Sequence, residues 1–579
     1  MARHDEAQQE QQEQQEQQGF DRRSFLKGLA ATGAVAAAGA LVACSQESPA
    51  ATGETGGGQP SEQEASASQL NWDQEFDFVV VGSGTGCFGA LGATEGGGTA
   101  VILEKSPVFG GTTLVSGVGL WIPNNHLEEE FGYGLDSDEE SLTYLKSIDA
   151  YHGSSDELKE DYVKNAKVFY KWQEETWGFT LAYQLMVGDY YNAPGAKPMG
   201  RCMGFGEPDR TLINGRTFYE SYLVPKLEER AIPMLTDTTV TRLIQDADGT
   251  VLGVEAQTSG STQNIKGNKG VLLACGGFEW NEEMRDAFLR GPIFGSNSPS
   301  TNTGDGILMG MSIGADLANM GSNWGLPCFI TDDSGELSTV VDWAPYRGRP
   351  HALVVNSSGK RFGDESAAYA IFNNAFYAFD TFTYAFKNLP AWLIFDADHA
   401  EAYGWPGGAE EQPEWLGAYD TLEELADACQ ISKDAFLAEI ARFNGFVETG
   451  VDEDWHRGEW AFERLMGGDA KGTAGVSDPM AIANNELNGI NPCLGVIARA
   501  PFYAAQMAPG TCGTSGGLRV NADAQVLDTA GNPIPGLYSA GNNAGAIFGS
   551  AYPGGGGTVG PGFYQAFKAA NHAFGLGVV

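Results

Sequence analysis

Two groups of residues in this chain have the types and spacing for nucleotide chemistry. One is Gly82-Ser83-Gly84-Thr85-Gly86; the other is Glu104-Lys105, whose acid lies 22 residues past Gly82. A turn without β-carbons lets backbone N–H groups approach a pyrophosphate, and the N-terminus of a following helix favours its charge. A carboxylate about 20 residues on accepts hydrogen bonds from ribose hydroxyls. The stretch that must position them reads FDFVVVGSGTGCFGALGATEGGGTAVILE over 76–104. Phe76–Val81 is an apolar, β-branched run that predicts a buried parallel strand. Thr85–Glu95 predicts a helix broken by Gly96-Gly97-Gly98, and Ala100–Leu103 a second strand that ends at the acid. Strand, glycine turn, helix, strand and acid in this order define a dinucleotide-binding βαβ unit. Cys87 takes the place of its third glycine.

The chain has 579 residues, room for two or three domains, and a 42% hydrophobic content sufficient for large cores. A formal net charge of −41 argues against nucleic acid as a partner and against a polybasic membrane patch. None of the eight cysteines forms C-x-x-C, so no dithiol redox motif, zinc ribbon or c-type haem site is visible. Residues 1–20 are Gln/Glu-rich, and Asp21-Arg22-Arg23-Ser24-Phe25-Leu26-Lys27 resembles a twin-arginine export signal. Leu29–Val42 is an Ala-rich apolar stretch of signal length. Leu41-Val42-Ala43-Cys44 resembles a bacterial lipobox, in which Cys44 becomes the lipidated first residue; the alternative is a plain signal cut nearby. The expected organisation is a lipoprotein signal over 1–43 and a flexible Gly/Ser/Gln/Glu-rich tether over 44–72. It implies twin-arginine export, a place at the cell surface, and membrane contact through the lipid.

Further glycine turns follow in order. They are Gly110-Gly111-Thr112-Thr113, Ser116-Gly117, Ala274-Cys275-Gly276-Gly277, Asn302-Thr303-Gly304-Asp305, Gly541-Asn542 and Gly557-Thr558-Val559. Each is common alone; as a series they resemble the FAD-dependent family that holds fumarate reductases and 3-ketosteroid dehydrogenases. The resemblance implies an α/β fold, with a Rossmann-like FAD-binding domain of glutathione-reductase type and an inserted α+β capping domain. The expected boundaries are 73–320, 321–498 and 499–579, the first and last forming the FAD-binding domain. The residues of these turns and of the first two groups, except Cys275 and Thr303, together with Val240 of a predicted hairpin over Thr239–Gln257, are the implied cofactor contacts. The FAD is expected to be non-covalent, because Ser116–Pro123 holds no His or Cys. Residues 137–230 predict mostly helix with loops, and the cap is expected to carry helices over Thr421–Cys429 and Ser432–Gly445.

Within that family, Tyr552-Pro553-Gly554-Gly555-Gly556 resembles the Y-P-G-x-G motif of the 3-ketosteroid Δ1-dehydrogenases. The resemblance implies that the Tyr552 hydroxyl and the Gly556 N–H bind a steroid carbonyl. A family motif N-E-S-x-P-Y maps onto Asp364–Tyr369, with Asp364 for Asn and Ala368 for Pro, and makes Tyr369 the implied base. Asp189-Tyr190-Tyr191 resembles a D-Y-Y triplet and makes Tyr190 its helper. The implied activity is oxidation of a CH–CH bond beside a ketone, or the reverse enone reduction, on a steroid-like substrate with a separate membrane electron carrier. Tyrosinate suits a ketone α-proton better than a carboxylate does, but ionising it at neutral pH requires a downward shift of about three units. Asp364-Glu365 is expected to tune Tyr369 or to cap the next helix. One alternative is a fumarate-reductase-like reductase, although its arginine donor, eight residues past Arg361, would here be Tyr369. The other is a non-catalytic surface flavoprotein that relays electrons.

Overall fold

This computed structural model describes residues 71–579, apart from 133–134, 151–152, 185–186, 259 and 343–345; the export segment, Cys44 and most of the tether lie outside them. Gln74–Val81 pairs in parallel with Ala100–Leu103 on one side and with Ser261–Leu273 on the other. Pro533–Ser539, from the far end of the chain, adds in parallel beyond Ser261–Leu273. The central strand is apolar throughout its second half because both faces are covered. Phe78 and Val80 face the helices Cys87–Glu95 and Val559–Phe574, whose Phe88 and Phe563 rings stack at 4.0 Å. Val79 and Val81 face the other way, onto the hairpin of Thr238–Gln245 with Val251–Thr258 and the helix Asp305–Ser312.

A second sheet lies in the middle of the chain. Its strands run Cys328–Phe329, Phe502–Ala508, Ala391–Phe395, Ala352–Asn356, all antiparallel, and Gly417–Tyr419 also pairs with Phe502–Ala508. Alternation splits its side chains between two cores. Leu353, Val355 and Ile394 pack with Phe436, Ile440 and Phe443 of the helix Lys433–Thr449. Ala352, Val354 and Leu393 pack with Phe372 of the helix Tyr369–Ala375. The first residue of the helix, Tyr369, packs in a separate cluster with Trp324, Leu326, Phe462 and Tyr552.

The structure departs from the sequence reading in two places. Phe502–Ala508 lies past residue 498, yet it is a central strand of the second sheet, so the chain returns to the nucleotide half later than expected. Residues 137–230 contain the expected helices Asp138–Ile148 and Asp156–Trp177, but also strands Leu181–Tyr183 and Cys202–Phe205, which form a three-stranded sheet with Leu120–Trp121. Strands this short show no period, and their pairing across the chain is invisible locally. Among the described residues no helix is long and apolar enough to cross a membrane, and the seven described cysteines are free thiols.

Arg457, fully buried, joins the cap around one guanidinium. Nε donates to Ser366 Oγ at 3.0 Å, Nη1 to Ala352 O at 2.9 Å and Glu365 Oε2 at 3.3 Å, and Nη2 to Gly348 O at 2.8 Å and Arg349 O at 2.9 Å. Arg361 lies beside it and grips two carboxylates, Glu365 at 2.6 Å and Asp452 at 2.7 Å. A lysine at 457 has one nitrogen and cannot span these acceptors. Arg457→Lys is therefore expected to destabilise the protein by about 3–5 kcal/mol, as for a broken buried pair. Denaturant unfolding of the two proteins side by side checks this; equal midpoints would contradict it.

Candidate active site

The first glycine turn is shaped by its close approach to the third strand. Gly82 has φ 101°, and a β-carbon there would meet Ala274 O at 2.2 Å. Ser83 ties three pieces of the sequence pattern together. Its Oγ donates to Glu104 Oε2 at 2.7 Å and accepts from Gly110 N at 2.7 Å, so the first turn, the acid and the second glycine turn share one hydroxyl. Cys87, in the third glycine's place, donates its thiol to Ser83 O at 3.0 Å, and burial pushes that thiol well above its ordinary pKa. Lys105 is paired with Asp305 at 2.5 Å, at the start of the helix Asp305–Ser312. Asn302 donates to Thr112 Oγ1 at 3.0 Å and to Glu279 Oε1 at 2.8 Å.

These segments line one continuous cavity of about 540 Å³. Gly82, Ser83, Gly84, Thr85, Glu104 and Lys105 line it, as do Gly111, Thr112, Thr113, Ser116 and Gly117. Val240, Ala274, Gly276, Asn302 and Asp305 form another part of the wall, and Gly541, Asn542, Thr558 and Val559 a further one. Tyr190, Tyr369, Tyr552 and Gly556 also line it. Five of the expected contact residues do not. Gly86 abuts Gly82 O, Gly110 abuts Leu114 and Tyr219, Gly277 abuts Thr514, Gly304 abuts Met284 and Gly557 abuts Pro553, so these shape the turns from behind.

The tyrosines reach the cavity from three separate segments and meet there. They are 4%, 6% and 5% exposed for Tyr190, Tyr369 and Tyr552, which excludes bulk water from all three rings. Tyr190 Oη donates to Tyr369 Oη at 2.8 Å. The Tyr369 ring meets Tyr552 edge-on at 5.6 Å and Tyr190 at 5.4 Å. Tyr190 is held by its neighbours: its N donates to Pro553 O at 3.0 Å, and Asp189 bridges to Gly554. Asp189 is itself paired with buried Arg201 at 2.7 Å, and burial raises its carboxyl to about 6 against that charge. Gly556 has φ 90°, and a β-carbon there would meet Leu120 N at 2.1 Å.

Two expectations change here. The base role implied for Tyr369 requires a downward shift; instead burial, then the neighbouring Tyr190 and Tyr552, push its hydroxyl well above the ordinary phenol value. Tyr190 and Tyr552 are raised too, in each case chiefly by burial. Glu365 does not cap the following helix. The helix has Ala368 as its N-cap, and Glu365 is taken up by Arg361 and Arg457. Phe462, Met466, Cys512, Gln184 and Val187 also line the cavity and escape the sequence reading, because no local spacing marks them. Only the position of Val187 and Gln184 close to the D-Y-Y triplet could have drawn attention to that pair.

A parallel nucleotide sheet, successive glycine turns and a second domain bearing a phenol cluster define a dinucleotide-dependent redox enzyme. The chain belongs to the family described as FAD binding domain, which it matches over residues 77–559. FAD is its cofactor, and the cavity fits it: glycine backbone and the Glu104 carboxylate line the same space as the phenols. The chain is an FAD-dependent oxidoreductase. A 3-oxosteroid 1-dehydrogenase of Mycobacterium tuberculosis is 32% identical over 86% of this chain and 98% of that protein. A 4-oxocyclohexanecarboxylate 2-dehydrogenase of Sinomonas cyclohexanicum is 30% identical over 84% of this chain and 90% of that protein. A 3-ketosteroid delta1-dehydrogenase of Sterolibacterium denitrificans, solved in complex with 1,4-androstadiene-3,17-dione, superposes with a TM-score of 0.76 at 28% identity, covering 87% of this chain and 100% of that one.

Gly556→Ala should be costly, since the added methyl meets backbone at a positive φ; a loss of about 2–4 kcal/mol is expected. Gly445→Ala is the control. It lies inside the helix Lys433–Thr449, and its methyl would meet nothing within 4 Å. It should stabilise by about 0.5–1 kcal/mol. Thermal unfolding that moves both variants in the same direction would contradict the contrast.

Proposed function

We propose that this protein removes two hydrogens from the CH–CH bond beside the carbonyl of a 3-ketosteroid, as a Δ1-dehydrogenase. The observation that carries this is the convergence of three buried phenols, two joined at 2.8 Å, at one part of the FAD cavity. Among the described residues lining that cavity the cation is Lys105, which is paired with Asp305. A dicarboxylate would meet no free positive charge there, whereas a neutral, apolar ketone suits the wall of Tyr190, Phe462, Met466 and Tyr552.

Glu104 would hold ribose hydroxyls, the 82–86 turn the pyrophosphate, and Gly110–Thr113 with Ser116-Gly117 the ribityl side, without a covalent link. FAD, when bound, supplies the hydride acceptor. The chain's own residues do the rest. The Tyr552 O–H and Gly556 N–H donate to the ketone oxygen, which acidifies the adjacent C–H. Tyr369, as phenolate, takes the α-proton, and Tyr190 stabilises that anion by donating to it. Because burial raises Tyr369, the phenolate fraction grows with pH, and each unit below its pKa costs about tenfold in rate.

Stopped-flow reduction of the flavin by a 3-ketosteroid tests this. The rate should climb about tenfold per unit between about pH 7 and 9, a slope set by the base. Tyr552→Phe should cost about 10²–10³ in rate, as for a lost oxyanion donor. Tyr369→Phe should abolish exchange of the α-proton with deuterated water. Wild-type exchange in Tyr369→Phe would remove it as the base.

The N-terminal reading supports a second proposal, that the enzyme is exported by the twin-arginine route and anchored through lipidated Cys44, close to a membrane electron carrier. Cys44→Ala should release active protein from the membrane fraction; an anchored variant would exclude Cys44 as the lipid site.

A further inference from the structure

Asp364 stands where the motif it resembles has Asn, and the structure sets it against a second acid. Glu463 opens the π-helical turn Glu463–Gly467, and its neighbours Phe462 and Met466 line the cavity with Tyr369. One oxygen of Glu463, Oε2, accepts from Gly458 N at 2.8 Å and Trp460 N at 3.1 Å. The Glu463 carboxyl also hydrogen-bonds the Asp364 side chain. Asp364 Oδ1 accepts from Ser366 N at 2.7 Å, three residues before Tyr369. Two carboxyl groups hydrogen-bond only with a proton between them. With Oε2 committed to two amides, Oε1 is the oxygen left to carry it.

The surroundings favour that proton on Glu463. Burial and then the Asp364 charge push Glu463 well above the ordinary carboxylate range. Burial raises Asp364 to about 6, with Glu365 adding to the rise and Arg457 opposing it. The other charged or titratable groups facing the pair are exposed His456, Arg464 and the buried Cys493 thiol. Arg457 does not neutralise the pair outright, because its five N–H groups are taken by Ser366, Glu365 and three carbonyls.

We propose that Asp364 and Glu463 form a proton-sharing clasp that positions the Tyr369 arm against the Phe462–Met466 wall, and that this wall loosens when the proton leaves. A group whose folded pKa is raised contributes fully on the acid side and loses its contribution as pH rises through the folded value. The clasp therefore holds at low pH and weakens toward alkaline pH, opposite in sign to the activation of Tyr369. That a ketone rests on this wall depends on the function proposed above; the clasp itself does not.

The test is amide hydrogen exchange of the FAD-loaded enzyme at Gly458 and Trp460, corrected for intrinsic pH dependence, between about pH 6 and 9. Wild-type protection should fall about tenfold over that range. Glu463→Gln keeps an N–H for Asp364 and an oxygen for the two amides. Asp364→Asn places a donor opposite an ionised Glu463. Both variants should hold protection constant, and either one that folds is sufficient. Constant protection in the wild type, or the same fall in the variants, overturns the clasp. In parallel, the Kd of 1,4-androstadiene-3,17-dione, read from the flavin spectrum, should rise with pH in the wild type alone. A steroid that binds at no pH overturns the functional reading and leaves the exchange result standing.

Discussion

The buried guanidinium of Arg457 is the constraint on which the cap depends. Five donors in a fixed plane meet a carboxylate, a hydroxyl and three carbonyls drawn from separate stretches of chain. A buried charge costs more than it returns unless every donor finds a partner. Here the return is geometric. Glu365 and Ser366 cannot move without leaving a charge or a hydroxyl unpaired, and Tyr369 follows them directly in the chain. The Arg201 pairs with Asp136 and Asp189 do the same for Tyr190, which follows Asp189 in the chain. Both phenols are thus held by ion pairs that do not touch them.

This arrangement sets two requirements against each other. Carbonyl polarisation works best in a dry site, where a donated hydrogen bond is not shared with water. The same dryness disfavours a phenolate, and the upward displacement of Tyr369 is its direct result. The neighbouring phenols of Tyr190 and Tyr552 add to that displacement. The chemistry proposed for Tyr369 therefore takes place with a minor ionic form, in a site whose main achievement is to hold three hydroxyls at fixed separations.

The sequence made the nucleotide half legible because its signals are local. Gly82, Gly84 and Glu104 lie within one βαβ unit, and the fold follows from a spacing that can be counted. The hairpin over Thr239–Gln257 was readable for the same reason. Tyr369, Tyr552 and Tyr190 were legible only through motif resemblance, since a tyrosine in isolation carries no spacing. The rest was hidden by long-range pairing. Phe502–Ala508 reads as an apolar run anywhere, and only its partners Ala391–Phe395 and Gly417–Tyr419 assign it to the second sheet. Phe462 and Met466 become wall residues through a π-helical turn, which leaves no mark in composition. The displaced ionisation of Tyr369 could not be read at all, because burial is a property of the assembled cluster.

The position of Pro533–Ser539 in the sheet bears on how the molecule is made. This strand lies beside Ser261–Leu273, yet more than half of the described chain passes between the first strand, Gln74–Val81, and its arrival. The helix Val559–Phe574, which packs on Cys87–Glu95 behind the first glycine turn, comes later still. A ribosome finishes the first βαβ unit early, but the wall formed by Gly541, Asn542 and Thr558 exists only after the last residues emerge. Contacts of such sequence separation form late. Loading of the cofactor is therefore a property of the completed polypeptide, and a nascent chain halted inside the cap would hold a nucleotide sheet with an open side.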